Sequence, residues 1–298
     1  MTVSSVPSAQ VKTPVVLTTV DDVRSALAAV RAGNPASDAG IALVPTMGAL
    51  HDGHLSLVRR ARELAGTVIV SIFVNPLQFG AGEDLDAYPR TLDADLAALA
   101  AEGVEYVFAP TAREMYPSGP SETRVSAGHI GTLLEGATRP GHFDGMLTVV
   151  AKLFNIVRPD VAVFGQKDAQ QVFLVRRMVA ELNLPLAIEV VPTVRESDGL
   201  ALSSRNRFLN AEARRAALAL SGALQSADAA ASDGLVELLA EATASFGDHD
   251  DVTLDYLVVV DPASFLPVDE HFRGPAIALV AARVGATRLI DNTPITLG

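Results

Sequence analysis

Residues 44–55 read Val44-Pro45-Thr46-Met47-Gly48-Ala49-Leu50-His51-Asp52-Gly53-His54-Leu55 and join two different patterns. The apolar run from Ile41 to Val44 is typical of a buried parallel strand, and apolar residues at helical spacing follow the stretch. The chain therefore passes from a strand through a tight turn into a helix. A helix start offers free N–H groups and the positive end of the helix dipole, so His51 and His54 predict a phosphate site there. The alternative is that both histidines only cap a surface helix.

Further apolar runs extend this unit into a repeating α/β pattern. Residues 67–74, 105–109, 161–164 and 188–191 form short apolar runs, which predict four more buried strands. Helical patterns lie between them. We therefore predict an α/β fold with a Rossmann-like, doubly wound parallel sheet, followed by a smaller C-terminal α+β domain.

The pattern changes near Pro192, and we place a domain boundary there. Residues 1–192 are predicted to form the Rossmann-like domain, with residues 1–13 as a mobile tail. Residues 193–298 are predicted to form the smaller domain, which closes on the site. Its predicted strands are residues 252–260 and 277–284.

The composition is acidic and lacks cysteine. The 298 residues carry 23 Lys and Arg against 35 Asp and Glu, a formal charge of −12, which argues against a nucleic-acid-binding surface. An anionic ligand must therefore bind where the few cations are concentrated. The absence of Cys excludes disulfides and Cys-ligated metals. No apolar run approaches a membrane span and the N-terminus lacks a secretory signal, so we expect a cytoplasmic protein without a membrane partner.

Polar residues that follow the predicted strands are candidates for ligand binding, because open α/β sheets bind ligands at the carboxyl ends of their strands. Gln78 lies in an irregular segment after the second strand, and Lys167 follows the fourth strand directly. Gln171 lies near the start of the next helix and is predicted to face the same edge. The alternatives are an exposed amide for Gln78 and a solvated surface cation for Lys167.

A polar loop in the smaller domain also suits a phosphate group. Ser203, Ser204 and Arg205 combine two hydroxyls with a guanidinium, whose forked donors match phosphate oxygens. The alternative is a helix cap followed by charged surface.

Four blocks of sequence together resemble one enzyme family. They are the stretch around the two histidines, Ser71-Ile72-Phe73-Val74-Asn75-Pro76-Leu77-Gln78-Phe79, Gly165-Gln166-Lys167-Asp168 and Ser203-Ser204-Arg205-Asn206. The first block resembles the signature of the nucleotidylyltransferase superfamily, which is related to the class I aminoacyl-tRNA synthetases. The four blocks in this order, from about residue 43 to the C-terminus, resemble the pantothenate synthetase (pantoate–β-alanine ligase) family.

The resemblance implies a function and a set of site residues. It implies an ATP-dependent, AMP-forming ligase of pantothenate and coenzyme A biosynthesis, which joins pantoate to β-alanine through a pantoyl adenylate and uses Mg²⁺. It also implies a homodimer. The catalytic residues that it implies are His51, His54 and Lys167. The ATP site that it implies is Pro45, Thr46, Met47, Gly48, His51, His54, Gly165, Lys167, Asp168, Val194, Ser203, Ser204 and Arg205. The pantoate site that it implies is Met47, Gln78, His142 and Gln171.

The sequence departs from the family pattern at three positions. Leu202 replaces Met before the serines, a volume-conserving exchange, and Asp52 replaces Glu between the histidines. Ala94 stands where an acidic residue is common, which leaves Asp95 as the candidate Mg²⁺ ligand beside phosphates and water.

Two other functions remain open from the sequence. A nucleotidylyltransferase acting on a phosphate ester would need more basic residues for its second phosphate. A non-catalytic module that senses ATP would not need two phosphate signatures together with an amide-lined pocket.

Overall fold

A computed structural model describes residues 13–33, 40–80, 85–86, 88–247 and 251–298. The predicted mobile tail lies outside the described residues except for Thr13. Within these ranges the strands are β1 (Val15–Leu17), β2 (Ile41–Thr46), β3 (Thr67–Ile72), β4 (Tyr106–Phe108), β5 (Val161–Gly165), β6 (Ala187–Val191), β7 (Val252–Val260), β8 (Gly274–Val284) and β9 (Thr287–Leu297). The helices are α1 (Val20–Gly33), α2 (Asp52–Leu64), α3 (Leu92–Ala101), α4 (Ala112–Met115), α5 (Glu135–Thr138), α6 (His142–Val157), α7 (Ala169–Glu181), α8 (Ala211–Ala229) and α9 (Leu235–Ala244).

Six parallel strands form the central sheet in the order β1-β4-β3-β2-β5-β6. From β2 the chain adds β3 and β4 on one side, and then returns to add β5 and β6 on the other. The order of the strands therefore reverses between β2 and β5, where open α/β sheets bind their ligands. The predicted doubly wound parallel sheet is confirmed.

Helices cover both faces of this sheet because successive strand residues point to opposite faces. In β2, Leu43 belongs to the core cluster that holds Leu27 of α1 and Phe154 of α6. Its neighbour Val44 belongs to a second cluster, which contains buried residues of α2 and α3. The strand at the reversal point is thus buried on both faces, which explains its continuous apolar sequence.

The smaller C-terminal unit is a three-stranded antiparallel sheet in the order β7-β8-β9. Alanine and leucine residues of α8 and α9 pack on this sheet in a cluster of their own. Val260, Phe265 and Leu279 belong instead to the core of the large domain, so the two units share packed surface. The boundary at residues 192 and 193 stays a prediction.

Two strands were missed in the sequence. β1 forms the edge of the parallel sheet, where Val15 pairs with Tyr106. β9 pairs along its whole length with β8 and completes the small sheet. Within the described part of the chain, no helix is both long and apolar enough to cross a membrane.

Candidate active site

The two histidines stand at the start of α2, directly after β2. Nδ1 of His51 accepts a hydrogen bond from the Gly53 N–H at 3.2 Å, and Nδ1 of His54 accepts from the His51 N–H at 3.4 Å. This reciprocal arrangement is a capping box, with histidines in the places usually taken by Ser or Thr and Glu. The rings lie 4.1 Å apart between centroids. The helix cap that we gave as the alternative to a phosphate site is therefore present.

The cap also determines the chemical form of both rings. A nitrogen that accepts from a backbone N–H carries no proton, so the neutral rings bear their proton on Nε2. Burial and the charge of Lys167 lower the pKa of His51. Burial, followed by the neighbouring His51, lowers the pKa of His54 to about 3. Near neutral pH each ring therefore offers an Nε2–H donor and no positive charge.

Asp95 holds the turn that leads into this cap. Its Oδ2 accepts from the Ala49 N–H at 3.0 Å and its Oδ1 accepts from the Leu50 N–H at 2.8 Å. Gly48 and Ala49 both have positive φ, at 82° and 52°, which glycine adopts freely but which strains Ala49, so the carboxylate stabilises a strained backbone at Ala49. Asp95 is 3% exposed, and both of its oxygens are engaged. We predicted Asp95 as a Mg²⁺ ligand, whereas its oxygens here accept hydrogen bonds from backbone N–H groups. The metal role stays a prediction.

The lysine turn follows β5, the strand next to β2. Lys167 Nζ lies 3.8 Å from Asp168 Oδ1, and its side chain is 19% exposed. Asn292 of β9 donates from Nδ2 to the backbone oxygens of Gln166, at 2.9 Å, and Lys167, at 2.8 Å. The small domain therefore holds the backbone of the lysine turn, while the ammonium group remains beside the histidines.

Gln78 lies in a short turn after β3 and is fixed by buried polar residues. Its Oε1 accepts from Asn75 Nδ2 at 3.1 Å, and its Nε2 lies 3.2 Å from Met47 Sδ. The Tyr116 hydroxyl donates to Asn75 Oδ1 at 2.7 Å. Burial raises the pKa of Tyr116 to about 12, so this hydroxyl keeps its proton. Gln78 itself is 8% exposed, which agrees with an oriented amide and not with an exposed one.

His142 begins α6, and its ring contacts the backbone of the Gln78 turn. Arg139 Nη1 lies 3.1 Å from His142 Nε2, and because a guanidinium only donates, Nε2 accepts. His142 Nδ1 therefore carries the proton, which it donates to the Gln78 backbone oxygen at 2.8 Å. Both ring nitrogens are thus engaged with protein. This geometry supports a role in holding Gln78, while the predicted direct contact with pantoate stays a prediction.

The serine loop forms one turn of 3-10 helix at Ser204–Phe208. The Ser203 hydroxyl caps it by accepting from the Arg205 N–H at 3.2 Å. This local cap is the alternative given for the loop, yet the loop also lies against the histidine turn. The Cβ of Leu202, one of the three departures from the family pattern, is 3.6 Å from the position that a Cβ on Gly53 would occupy.

One cavity of about 240 Å³, which we call the catalytic cavity, brings the predicted residues together. Gly48 and Asp95 are the two predicted site residues that do not line it. Those that do are Pro45, Thr46, Met47, His51, His54, Gln78, His142, Gly165, Lys167, Asp168, Gln171, Val194, Ser203, Ser204 and Arg205. A second cavity of about 710 Å³, the outer cavity, shares Lys167, Gln171 and Arg205 with it and extends along β9. The cations predicted to be concentrated at the site are therefore found there.

Known proteins are similar to this chain in both sequence and fold. A family model described as pantoate-beta-alanine ligase matches residues 15–294. The chain belongs to this ligase family. It is therefore an enzyme that forms a C–N bond between pantoate and β-alanine. The match favours this function over the nucleotidylyltransferase and the sensing module.

Relatives of this ligase are similar over nearly the whole chain. The pantothenate synthetase of Leifsonia xyli subsp. xyli is 62% identical over 275 residues, which cover 92% of this chain and 94% of the relative. A crystal structure of the Thermus thermophilus enzyme has a TM-score of 0.86 at 46% identity and covers 93% of this chain and 98% of that one. The Francisella tularensis ligase, complexed with beta-gamma ATP and beta-alanine, has a TM-score of 0.76 at 34% identity, with 94% and 97% covered.

Three residues of the candidate site were absent from the predicted site residues. Asn75 and Tyr116 orient Gln78 from behind, and Arg139 lines the catalytic cavity beside His142. Asn75 precedes a proline at a strand end, which was a usable signal. Tyr116 is 41 positions further along the chain from Asn75 and gives no local signal of its role.

Proposed function

We propose that this ligase activates pantoate with ATP at the catalytic cavity before β-alanine reacts. The observation that carries the proposal is the locked tautomer of the two histidines. Their Nε2–H groups donate to oxygens of the ATP phosphates, and the Lys167 ammonium lies beside them. Donors that are fixed in advance stabilise the charge that develops on phosphate in the transition state.

In the first half-reaction a carboxylate oxygen of pantoate attacks the α-phosphorus of ATP. A new P–O bond forms, the bond between the α-phosphorus and the bridging oxygen breaks, and pyrophosphate leaves with the electron pair. Ser203, Ser204 and Arg205 bind the departing phosphates from the small domain. No side chain needs to act as a nucleophile, because positioning and charge stabilisation account for this type of transfer.

Gln78 and Gln171 orient pantoate for this attack. The Asn75 and Tyr116 network holds the Gln78 amide, so it binds the substrate without first losing rotational freedom. The side chain of Gln171 has no hydrogen-bond partner within the described part of the chain and lines both cavities. It is therefore free to bind a ligand.

In the second half-reaction the amine of β-alanine attacks the acyl carbon of pantoyl adenylate. The C–N bond forms, the bond from the acyl carbon to the phosphate oxygen breaks, AMP leaves, and the amine loses a proton. Two substrates of this reaction, ATP and β-alanine, are represented in the complex of the Francisella tularensis relative.

Mg²⁺ enters the proposal as part of the ATP substrate. Among the described residues, no group of three or more His, Asp or Glu side chains is arranged to hold a metal. The catalytic cavity instead offers hydrogen-bond donors and cations. Mg²⁺ commonly keeps several waters and binds substrate phosphates, which fits this residue set. We also propose the homodimer that the family resemblance implies and the cytoplasmic location expected from the sequence.

Exchange of labelled pyrophosphate into ATP tests the order of the two steps. With Mg²⁺ and pantoate present and β-alanine absent, we expect exchange, because the first half-reaction is reversible on the enzyme. The Lys167→Ala variant is the control and should lose the exchange. Exchange that requires β-alanine would contradict the adenylate and indicate a concerted ligation. Exchange with a phosphate ester instead of pantoate would indicate a nucleotidylyltransferase, and ATP binding without any exchange would indicate a sensing module.

A further inference from the structure

Residues 130–142, which we call the clamp segment, are held by the large domain through one buried amide. Gln170 of α7 donates from Nε2 to the backbone oxygens of Ile130, at 2.8 Å, and Leu133, at 3.0 Å. Its Oε1 accepts from the Glu135 N–H at 3.1 Å. Gln170 is 4% exposed, and the oxygen and the nitrogen of its amide both bond to this segment. The clamp segment therefore has a defined backbone path despite its loop-like composition.

The small domain holds the same segment through the Glu135 carboxylate. Arg288 of β9 donates from Nη1 to Glu135 Oε2 at 2.6 Å and from Nη2 to Oε1 at 2.7 Å. The Tyr256 hydroxyl donates to Oε1 at 2.8 Å, and Arg288 Nε donates to Asp255 at 2.6 Å. The side chains of Arg288 and Glu135 are 15% and 12% exposed. A bidentate pair that is this well buried forms only within a narrow range of geometries. Removal of one partner leaves the other as an unpaired buried charge.

The other end of the clamp segment holds the pantoate-binding turn. His142 donates to the Gln78 backbone oxygen at 2.8 Å, and Arg139 Nη2 lies 3.4 Å from the same oxygen. Glu135 begins α5, a single helical turn that ends at Thr138, and Arg139 follows it directly. A displacement of Glu135 therefore reaches Arg139 through one short rigid element. The contacts form a continuous chain from β9 of the small domain to Gln78.

We propose that the Glu135–Arg288–Tyr256 cluster positions Gln78, so that docking of the small domain sets the affinity of the enzyme for pantoate. This inference rests on the proposed role of Gln78 in pantoate binding. Glu135, Arg288 and Tyr256 line the outer cavity and not the catalytic cavity, so they are positioning residues. A merely structural role would lower stability and activity without preference for one substrate. A positioning role raises KM for pantoate selectively.

Steady-state kinetics of Arg288→Ala and Glu135→Ala separate these roles. We expect each variant to raise KM for pantoate roughly tenfold while KM for ATP stays within about twofold, which corresponds to coupling energies common for contacting residues. The double variant should be no worse than either single variant, because both remove the same interaction. Arg288→Lys should recover part of the loss, since it keeps the charge without the fork. Tyr256→Phe removes one hydroxyl and should act in the same direction even if a larger substitution unfolds the chain.

Arg283→Ala is the matched control. Arg283 faces Arg288 across the β8–β9 hairpin, lines the same outer cavity, and is exposed. Its loss should leave both KM values unchanged. An equal rise of KM for pantoate in Arg283→Ala and Arg288→Ala would overturn the inference, because attraction of the anion by net charge would then explain it.

Gln78→Ala distinguishes failure of this inference from failure of the proposed function. If Gln78→Ala raises KM for pantoate but Arg288→Ala and Glu135→Ala do not, the cluster does not position Gln78 and the proposed function stands. If Gln78→Ala leaves KM for pantoate unchanged, the proposed pantoate site itself is wrong. Parallel loss of kcat and melting temperature, with both KM values unchanged in the cluster variants, would show a structural role only.

Discussion

His54 completes the cap of α2 and, in the proposed mechanism, also binds phosphate through the same ring. Nδ1 accepts from the cap backbone, and Nε2–H is left as the proposed donor to a phosphate oxygen. We expect His54→Ala to lower kcat/KM by at least about 100-fold, roughly 3 kcal/mol, as for removal of one fixed donor to a transition-state oxyanion. Loss of the cap should also lower the free energy of unfolding by about 1 kcal/mol. Kinetics and thermal denaturation measure the two effects.

His54→Gln is the control that separates these two roles. Glutamine at this third helical position accepts from the cap backbone N–H, as in the usual capping box. The variant should therefore regain much of the melting temperature without regaining activity. Wild-type activity in His54→Gln, or no loss of activity in His54→Ala, would contradict the catalytic role.

Single residues were predictable from the sequence where a local pattern states their chemistry. The histidines, Lys167 and Gln78 each follow a strand that the apolar pattern had already identified. Asn75 and Tyr116 were not predicted, because they act on Gln78 from behind and their partnership forms only in the folded chain. The tautomers of the histidines also depend on backbone geometry that no residue type reveals.

The contact between α6 and the Gln78 turn is the element on which the proposed pantoate site depends. Gly145 of α6 approaches this turn so closely that a Cβ there would lie 2.0 Å from the Leu77 oxygen. Gly145→Ala must therefore displace the turn, so we expect a higher KM for pantoate and a lower melting temperature. Kinetics and thermal denaturation test both effects.

Gly222→Ala on α8 is the matched control for Gly145→Ala. Among the described residues, no atom other than those of its chain neighbours and its own helix backbone lies within 4 Å of the position that its Cβ would occupy. Alanine in an open helical position should raise the free energy of unfolding by about 0.5–1 kcal/mol and leave KM unchanged. A tolerated Gly145→Ala, with normal KM and stability, would show that the turn is not held by this contact.

Elements with a clean apolar period were predicted, and irregular ones were missed. β1 has three residues, too few for a period to appear. β9 carries Asp291 and Asn292, which are buried because they bind Arg195 and the lysine turn, so its alternation is broken by polar residues. α6 begins at His142, four residues before the apolar run that starts at Met146. Its first turn contains His142, Asp144 and Gly145, so the apolar pattern does not reveal it, and it follows Gly141 with a φ of 79°.

At the scale of the whole molecule, the expected homodimer is open to direct test. The edge strand β1 leaves Val15 and Val16 48% and 38% exposed, so the large domain presents apolar surface at the edge of its sheet. Sedimentation at micromolar concentration should show a species of about twice the chain mass of 31.2 kDa. A stable species at the single-chain mass would contradict the dimer.

The fold class of the whole molecule was predictable from the sequence, but the contacts between its domains were not. Apolar runs and helical spacing predicted a doubly wound sheet and a second, smaller domain. The contacts between the domains involve Asn292, Arg288 and Glu135, and these pairs are more than 100 residues apart in the chain. Such distant pairs leave no trace in a local pattern, since each residue alone is compatible with an ordinary surface.

The reversal of strand order between β2 and β5 has a consequence for protein synthesis. Ala42 of β2 pairs with Val161 of β5, so this central contact closes a loop of more than 100 residues. Contacts across such long loops carry a large entropic cost and form late in folding. During synthesis, the segment with the two histidines leaves the ribosome long before the lysine turn has been made. We therefore expect that nascent or truncated chains ending before β5 have no ATP-binding site, and that nucleotide cannot assist the early stages of folding.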